Sequence, residues 1–300
     1  MCVIVILNAA LEEGVASAWE SEDFRGAGDI RFRQSMKGNR SSKQFRQAGG
    51  PSRPKRPDRT LGVLRIYGTH AVEAALANPR RKIRAIHATA NAAQRVEHLL
   101  RGKLPEIRTV SPKDLDRMLG EDTVHQGVLI EAEPLDEPAI DELGEARLLL
   151  VLDQITDPHN VGAILRSAAA FGVDALVMTA RHSPPLHGAL AKAASGALEH
   201  VPVVLVPNLA RVLAEIGERG FTRLGLDSGG SVALEEYPAA DRLALVLGAE
   251  DRGLRRLSAE NCDAICALTT FGAIASLNVS NAAAIALHHA AIKMHNRPGS

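Results

Sequence analysis

From residue 61 onward the chain alternates short apolar runs with segments of helical period. Residues 62–67 (GVLRIY) predict a strand, and Thr69 is placed to cap the Ala-rich helix HAVEAALA, which Asn78-Pro79 stops. A strand at 83–89, a helix near 91–101, a strand near 106–110, a helix opened by Ser111-Pro112 and a strand at 127–132 follow. This is a small α/β domain over 61–132, joined by a Pro- and acid-rich linker at 133–147 to a second domain over 148–296. There, apolar strands at 148–153, 174–178, 201–206, 222–227, 243–248 and 264–268 alternate with helices near 160–171, 187–195, 208–219 and 279–294. Such alternation predicts a mostly parallel sheet covered on both faces, with ligands beyond the carboxyl ends of the strands.

Residues 1–60 break this pattern. The stretch 31–60 holds ten Lys or Arg against the single acid Asp58, whereas 1–30 hold one base against six acids, so the formal charge of zero conceals a strong asymmetry. Rich in Gly, Pro, Ser and Gln, this arm cannot bury enough surface to offset its ordering entropy, and it is expected to be disordered. Its positive charge suits polyanion contacts that release counterions; a solubilising tail is the plainer reading. Met36 precedes most of the basic run and is an alternative start. Runs such as LLLVL (148–152) are too short to span a bilayer, which needs roughly 18 apolar residues. With no basic segment before CVIVIL (2–7), a cytoplasmic protein is expected. Cys2, Cys262 and Cys266 read as buried reduced thiols, with no second pair to complete a metal site. Only nine aromatics argue against an aromatic-faced RNA-binding sheet.

No G-x-G-x-x-G follows a strand, and GAEDRG (248–253) lacks the ending of a nucleotide-phosphate loop, which disfavours nucleotide-dependent oxidoreductases. Three polar clusters stand at strand ends instead. The first places Asn160 at a helix start with Arg166 six residues on; the second places Glu250 just past Gly248, where a ligand could approach the backbone; the third sets Ser276, Asn278, Ser280 and Asn281 before an Ala-rich helix. Taken singly, Asn160 reads as a helix cap, Arg166 as a surface ion pair, Glu250 as part of a solvated turn with Asp251, Arg252, Arg255 and Arg256, and 276–281 as another cap. Capping does not account for all three at successive strand ends.

These residues carry a resemblance. Asp157-Pro158-His159-Asn160-Val161-Gly162-Ala163-Ile164-Leu165-Arg166, Gly248-Ala249-Glu250-Asp251-Arg252-Gly253 and Ser276-Leu277-Asn278-Val279-Ser280 resemble the three ordered motifs of the SpoU (TrmH-type) RNA ribose 2'-O-methyltransferases of the SPOUT superfamily. Asp251 stands where the family often has Gly, and Thr269 where Pro is frequent. Tyr67-Gly68, the helix after it and His125-Gln126-Gly127 resemble the substrate-binding domain of the RlmB-like subgroup, which methylates a guanosine of 23S rRNA.

The resemblance implies a trefoil-knotted, homodimeric domain that binds S-adenosyl-L-methionine, without metal or membrane. Gly248, Leu268 and Leu277 would line the cofactor pocket, and Asn160, Arg166, Glu250, Ser276 and Asn278 would surround the reacting ribose. Arg166 is either a general base or a clamp on the adjacent phosphate. Alternative functions are a tRNA ribose 2'-O-methyltransferase of the same fold and a non-catalytic RNA-binding ribosome assembly factor. If 31–60 supply phosphate contacts, deleting 1–60 weakens RNA binding and flattens its salt dependence while cofactor affinity stays constant. Titrations at several salt concentrations check this; an unchanged salt slope makes the arm a solubilising tail.

Overall fold

The computed structural model describes residues 62–100, 105–273 and 276–296. The expected disordered arm, Cys2 and the choice between Met1 and Met36 lie outside the described residues. Strands β1 (Leu64–Tyr67), β2 (Ile83–Ala88), β3 (Ile107–Thr109) and β4 (Val128–Ala132) form one sheet in the order β1-β4-β2-β3. Here β4 runs antiparallel to β1 and β2, and β3 parallel to β2. Its helices are α1 (Thr69–Ala77), α2 (Ala90–Val96) and α3 (Pro112–Leu119). As the Ser-Pro signal predicts, Ser111 caps α3: its Oγ accepts from Asp114 N at 3.3 Å, and Asp114 Oδ2 accepts from Ser111 N at 3.0 Å. Thr69 does not cap α1. Gly68 occupies that position, and the Thr69 amide donates to Gln126 Oε1 at 2.9 Å, an acceptor 57 residues away that local sequence could not reveal.

The second sheet contains β5 (Leu148–Asp153), β6 (Ala175–Thr179), β7 (Val203–Val206), β8 (Thr222–Leu226), β9 (Val232–Ala233), β10 (Leu243–Gly248) and β11 (Ala264–Ala267), in the order β7-β6-β5-β10-β8-β11-β9. Every neighbouring pair is parallel, as the apolar runs predicted. Helices α4 (Pro158–Ala170), α5 (Ala189–Ala194), α6 (Leu209–Glu218), α7 (Arg256–Glu260) and α8 (Val279–His295) accompany it. β9 and α7, of two and five residues, are too short to show a period and were not expected. Along β5, Leu148, Leu150 and Leu152 face the side covered by α4, α5 and α8, while Leu149 and Val151 face α6. Cys266 is buried, but Cys262 is only half-buried; burial pushes its thiol up to about 11, so it stays protonated at neutral pH.

The first of these apolar clusters does not stop at the second sheet. It continues through α5 into Val72 of α1 and Ile66, Ile86 and Ile130 of the front sheet. Two contacts make α5 the shared plate. Against α4, a Cβ on Gly162 would lie 2.5 Å from Ala193 Cβ and 2.8 Å from Leu190 O, so only Gly lets the two backbones approach. Just past α5, a Cβ on Gly196 would meet Ala74 Cβ of α1 at 2.6 Å. A buried ion pair closes the seam: Arg81 Nη2 donates to Glu199 Oε1 at 2.6 Å, and both side chains are 3% exposed. Asn78 Nδ2 donates to Glu199 Oε2 at 2.7 Å, and Arg81 Nη1 to the Glu133 carbonyl at 3.0 Å, so the buried charges are well satisfied.

Removing one partner strands the other charge. Arg81→Met is expected to lower unfolding stability by about 3–5 kcal/mol, whereas Arg81→Met with Glu199→Leu recovers most of the loss. Urea denaturation checks this; a single variant costing under about 1 kcal/mol would show that the pair does not close the seam.

Candidate active site

Parallel pairing of β5 with β10 sets Asp153 beside Gly248, so the loops that follow them leave the sheet as neighbours. The first loop enters α4. Its N-cap is Asp157, whose Oδ1 accepts from His159 N at 3.0 Å, with Pro158 in the first turn. Asn160 is therefore not the cap that a local reading allowed, and its amide is free for other partners. It donates through Nδ2 to Glu250 Oε1 at 3.2 Å. Asn278, from the third cluster, donates through Nδ2 to the same oxygen at 2.6 Å and to Asn160 Oδ1 at 3.1 Å. The Val279 amide adds a third hydrogen bond to Glu250 Oε1 at 3.0 Å. Asn278 also caps α8, accepting from Ser280 N at 3.0 Å. The capping reading thus holds for Asn278 and describes only half of what it does.

Glu250 Oε1 is saturated by three donors, while Oε2 accepts no hydrogen bond from a described residue. Glu250 and Asn278 are exposed and Asn160 is half-buried, so a solvent-facing acceptor stands on a fixed carboxylate. Arg166 is not part of this set. Six residues beyond Asn160, it lies about 600° further round α4, hence on another face; it is exposed and bonds no other described residue. Ser276 is likewise exposed and without a described partner.

The turn after β10 is exposed at Glu250, Asp251, Arg252 and Arg256, as the solvated-turn alternative has it, yet it is also tied to the sheet. Arg255 donates from Nε to Asp153 Oδ1 at 2.6 Å and from its backbone amide to Oδ2 at 3.1 Å, and Asp153 is wholly buried at the end of β5. Ala249 and Gly253 exchange backbone hydrogen bonds of 3.1 and 2.8 Å across the turn. A Cβ on Gly248 would lie 2.1 Å from Gly253 C and 2.4 Å from Leu254 N. The turn folding back on itself thus demands the glycine. Spacing alone could not have found the Asp153–Arg255 pair, which is 102 residues apart.

Of the other expected cofactor contacts, Leu268 is half-buried against the core just past β11, and Leu277 is 39% exposed beside Asn278. Thr269, where the family often has Pro, donates from Oγ1 to Glu235 Oε2 at 3.1 Å. Burial raises the Glu235 carboxyl, but hydrogen bonds from its own amide and from Thr269 outweigh that and hold it below the usual range. Among the described residues, no cluster of His, Cys, Asp and Glu could hold a metal ion, and no helix is long and apolar enough to cross a membrane.

Comparison with known proteins decides the family. Residues 147–288 match the SpoU rRNA Methylase family, and residues 65–138 match the family described as RNA 2'-O ribose methyltransferase substrate binding. The chain is 38% identical over 230 residues to the 23S rRNA (guanosine-2'-O-)-methyltransferase RlmB of Neisseria meningitidis, covering 74% of this chain and 92% of that one. The chain belongs to the SpoU rRNA methylase family. The RlmB of Vibrio parahaemolyticus is 37% identical over 236 residues, covering 75% of this chain and 95% of the relative. The fold is that of the SpoU methyltransferase AviRb from Streptomyces viridochromogenes, solved with AdoMet, at TM-score 0.67 and 23% identity over 79% of this chain and 92% of that one. Within this SpoU chain the three motifs meet at the Glu250 carboxylate.

The packing of the second motif gives a direct test. Gly248→Ala forces its methyl into the Gly253 backbone and is expected to destabilise by about 1–3 kcal/mol or more. Gly144→Ala, where no atom lies within 4 Å, should be neutral or stabilising. Equal midpoints in urea for the two variants would show that the 248–253 turn tolerates what its geometry forbids.

Proposed function

We propose that this chain transfers a methyl group from S-adenosyl-L-methionine to a ribose 2'-hydroxyl of RNA, at a guanosine of 23S rRNA. The observation that carries the proposal is the convergence of Asn160, Glu250 and Asn278, one from each motif of a methylase family, on a single carboxylate oxygen. Coverage of more than nine-tenths of relatives named for 23S rRNA, with the front domain matched as well, favours rRNA over tRNA.

Leu268 and Leu277 fit a cofactor's apolar parts: one is half-buried and the other partly exposed, at the two ends of the loop that joins β11 to the cluster. When bound, the cofactor supplies an electrophilic methyl on a sulfonium. The protein must align one hydroxyl with that methyl and manage its proton. Glu250 Oε2, held by the three bonds to Oε1, is the acceptor available to a ribose hydroxyl. A guanidinium is a planar fork of donors with no acceptor, so Arg166 serves as a bidentate clamp on the adjacent phosphate and stabilises negative charge on the ribose oxygen. Ser276, exposed two residues before Asn278, completes the ribose-facing set.

The front domain, residues 61–132, presents the RNA, and the enzyme works as a cytoplasmic homodimer. Ile285 and Ile292, a heptad apart on α8 and each 46% exposed, support a second copy packing there. We further assign the trefoil knot to the passage from β11 to α8. It is supported by the strand order, in which β8 separates β11 from β10, while α8 nevertheless begins at the turn that follows β10.

Asn160→Ala, Glu250→Gln and Arg166→Lys should each cut single-turnover methylation of a 23S rRNA fragment by about 100-fold or more, with RNA affinity within about threefold of wild type. Labelled-methyl transfer and filter binding on folded variants test this. Near wild-type rates for a variant would remove its residue from the site; a wild-type protein that binds RNA without methylating it would favour an assembly factor.

A further inference from the structure

Five aromatic side chains lie among the described residues, and four are packed. Phe171 meets the edge of His288 with centroids 5.6 Å apart, and Phe221 is buried beneath the Arg242 guanidinium, 4.2 Å from its ring centre. Tyr67 is half-buried, and Tyr237 packs against the core. Phe271 is 96% exposed. It forgoes the burial that normally places such a ring inside, in a chain that has few aromatics to spare.

Its loop is pinned at both roots. Thr269, two residues before it, donates to Glu235 through Oγ1 at 3.1 Å and through its backbone amide at 3.5 Å. The Glu235 carbonyl in turn accepts from Lys293 Nζ of α8 at 2.6 Å. Seven residues after Phe271, Asn278 is bonded to Glu250 at 2.6 Å. The ring thus stands two residues from the anchored Thr269 and seven from Asn278 of the ribose-facing cluster, whose second motif also carries the exposed cation Arg252.

Every RNA nucleotide offers a 2'-hydroxyl, so a ribose methyltransferase needs a second handle on the nucleotide it chooses. Asn160, Glu250 and Asn278 are polar groups without a flat apolar face. Single-stranded RNA is commonly held by stacking its bases on aromatic rings, in company with cationic groups for its phosphates. We propose that Phe271 is a nucleobase-stacking residue, which holds a base of the RNA strand at or next to the methylated ribose. This rests on the reading of the site as a ribose methyltransferase.

The test uses the full chain. Trp19 is its one tryptophan; Trp19→Phe with Phe271→Trp leaves a single reporter in the loop. Its emission should fall about twofold on titration with a 23S rRNA fragment, saturating where filter binding saturates, because stacked bases quench indole. S-adenosylmethionine alone, and dilution of the protein without RNA, should leave it unchanged. In the Trp19 background, Phe271→Ala should raise KM for RNA by about tenfold, Phe271→Tyr should restore it and Phe271→Leu should not, with cofactor Kd constant throughout. Quenching by cofactor alone assigns the ring to the cofactor's adenine, and a signal that follows dilution assigns it to a second copy; either overturns the proposal. So does an unchanged KM in Phe271→Ala. Wild-type protein that methylates no RNA removes the parent reading as well, whereas active wild type with indifferent Phe271 variants removes this inference alone.

Discussion

One carboxylate oxygen, Glu250 Oε1, takes hydrogen bonds from Asn160, Asn278 and Val279, segments 90 and 28–29 residues distant in the chain. Charge-assisted bonds of this kind are the stronger ones, and this oxygen lies at the first turns of two helices, α4 and α8, where a negative charge is favoured by the helix dipoles. It also satisfies the Val279 amide, one of the donors that a helix start leaves without an intrahelical partner. The position of Glu250 is in turn set by a turn that folds tightly on Gly248 and is tied to β5 through Arg255 and the buried Asp153. The site is therefore assembled by strand order: β10 inserts beside β5, and the chain beyond β11 returns to the same point.

The second constraint is the seam around α5. Because α4 and α5 touch at Gly162, and the segment following α5 touches α1 at Gly196, the helix that carries Asn160 and the front domain share one support. The Arg81–Glu199 pair is buried on both sides of that seam. A buried pair is weak evidence for stability as such, since apolar residues of similar volume would often serve as well. Its value here is directional: a bidentate guanidinium and carboxylate fit in one geometry, which fixes how the front sheet is set on the catalytic sheet.

Much of this was legible in the sequence because the signals were local. The apolar runs of β5 and β10 read as parallel strands buried on two faces, Ser111-Pro112 read as a helix start, and the three strand-end clusters read as one site. What escaped shared a different property. The Asp157 cap displaced Asn160 by helix phase, a matter of three residues that composition does not settle. The Gln126 acceptor for Thr69, the Asp153–Arg255 pair and the Arg81–Glu199 pair join residues 57, 102 and 118 apart, and a single sequence carries no periodicity at such distances. Gly248 was noticed for its missing side chain, but not for the turn that requires it, since the space a Cβ would take is filled by backbone five and six residues on.

The central claim is that the clustered motifs serve methylation of a ribosomal guanosine. Mapping of 2'-O-methyl groups on total RNA, from cells with and without the gene, tests it most directly. The account predicts that one guanosine of 23S rRNA loses its 2'-O-methyl group when the gene is removed and regains it with the wild-type chain, but not with Glu250→Gln. Loss of a ribose methyl from tRNA instead, or an unaltered modification map, would contradict it.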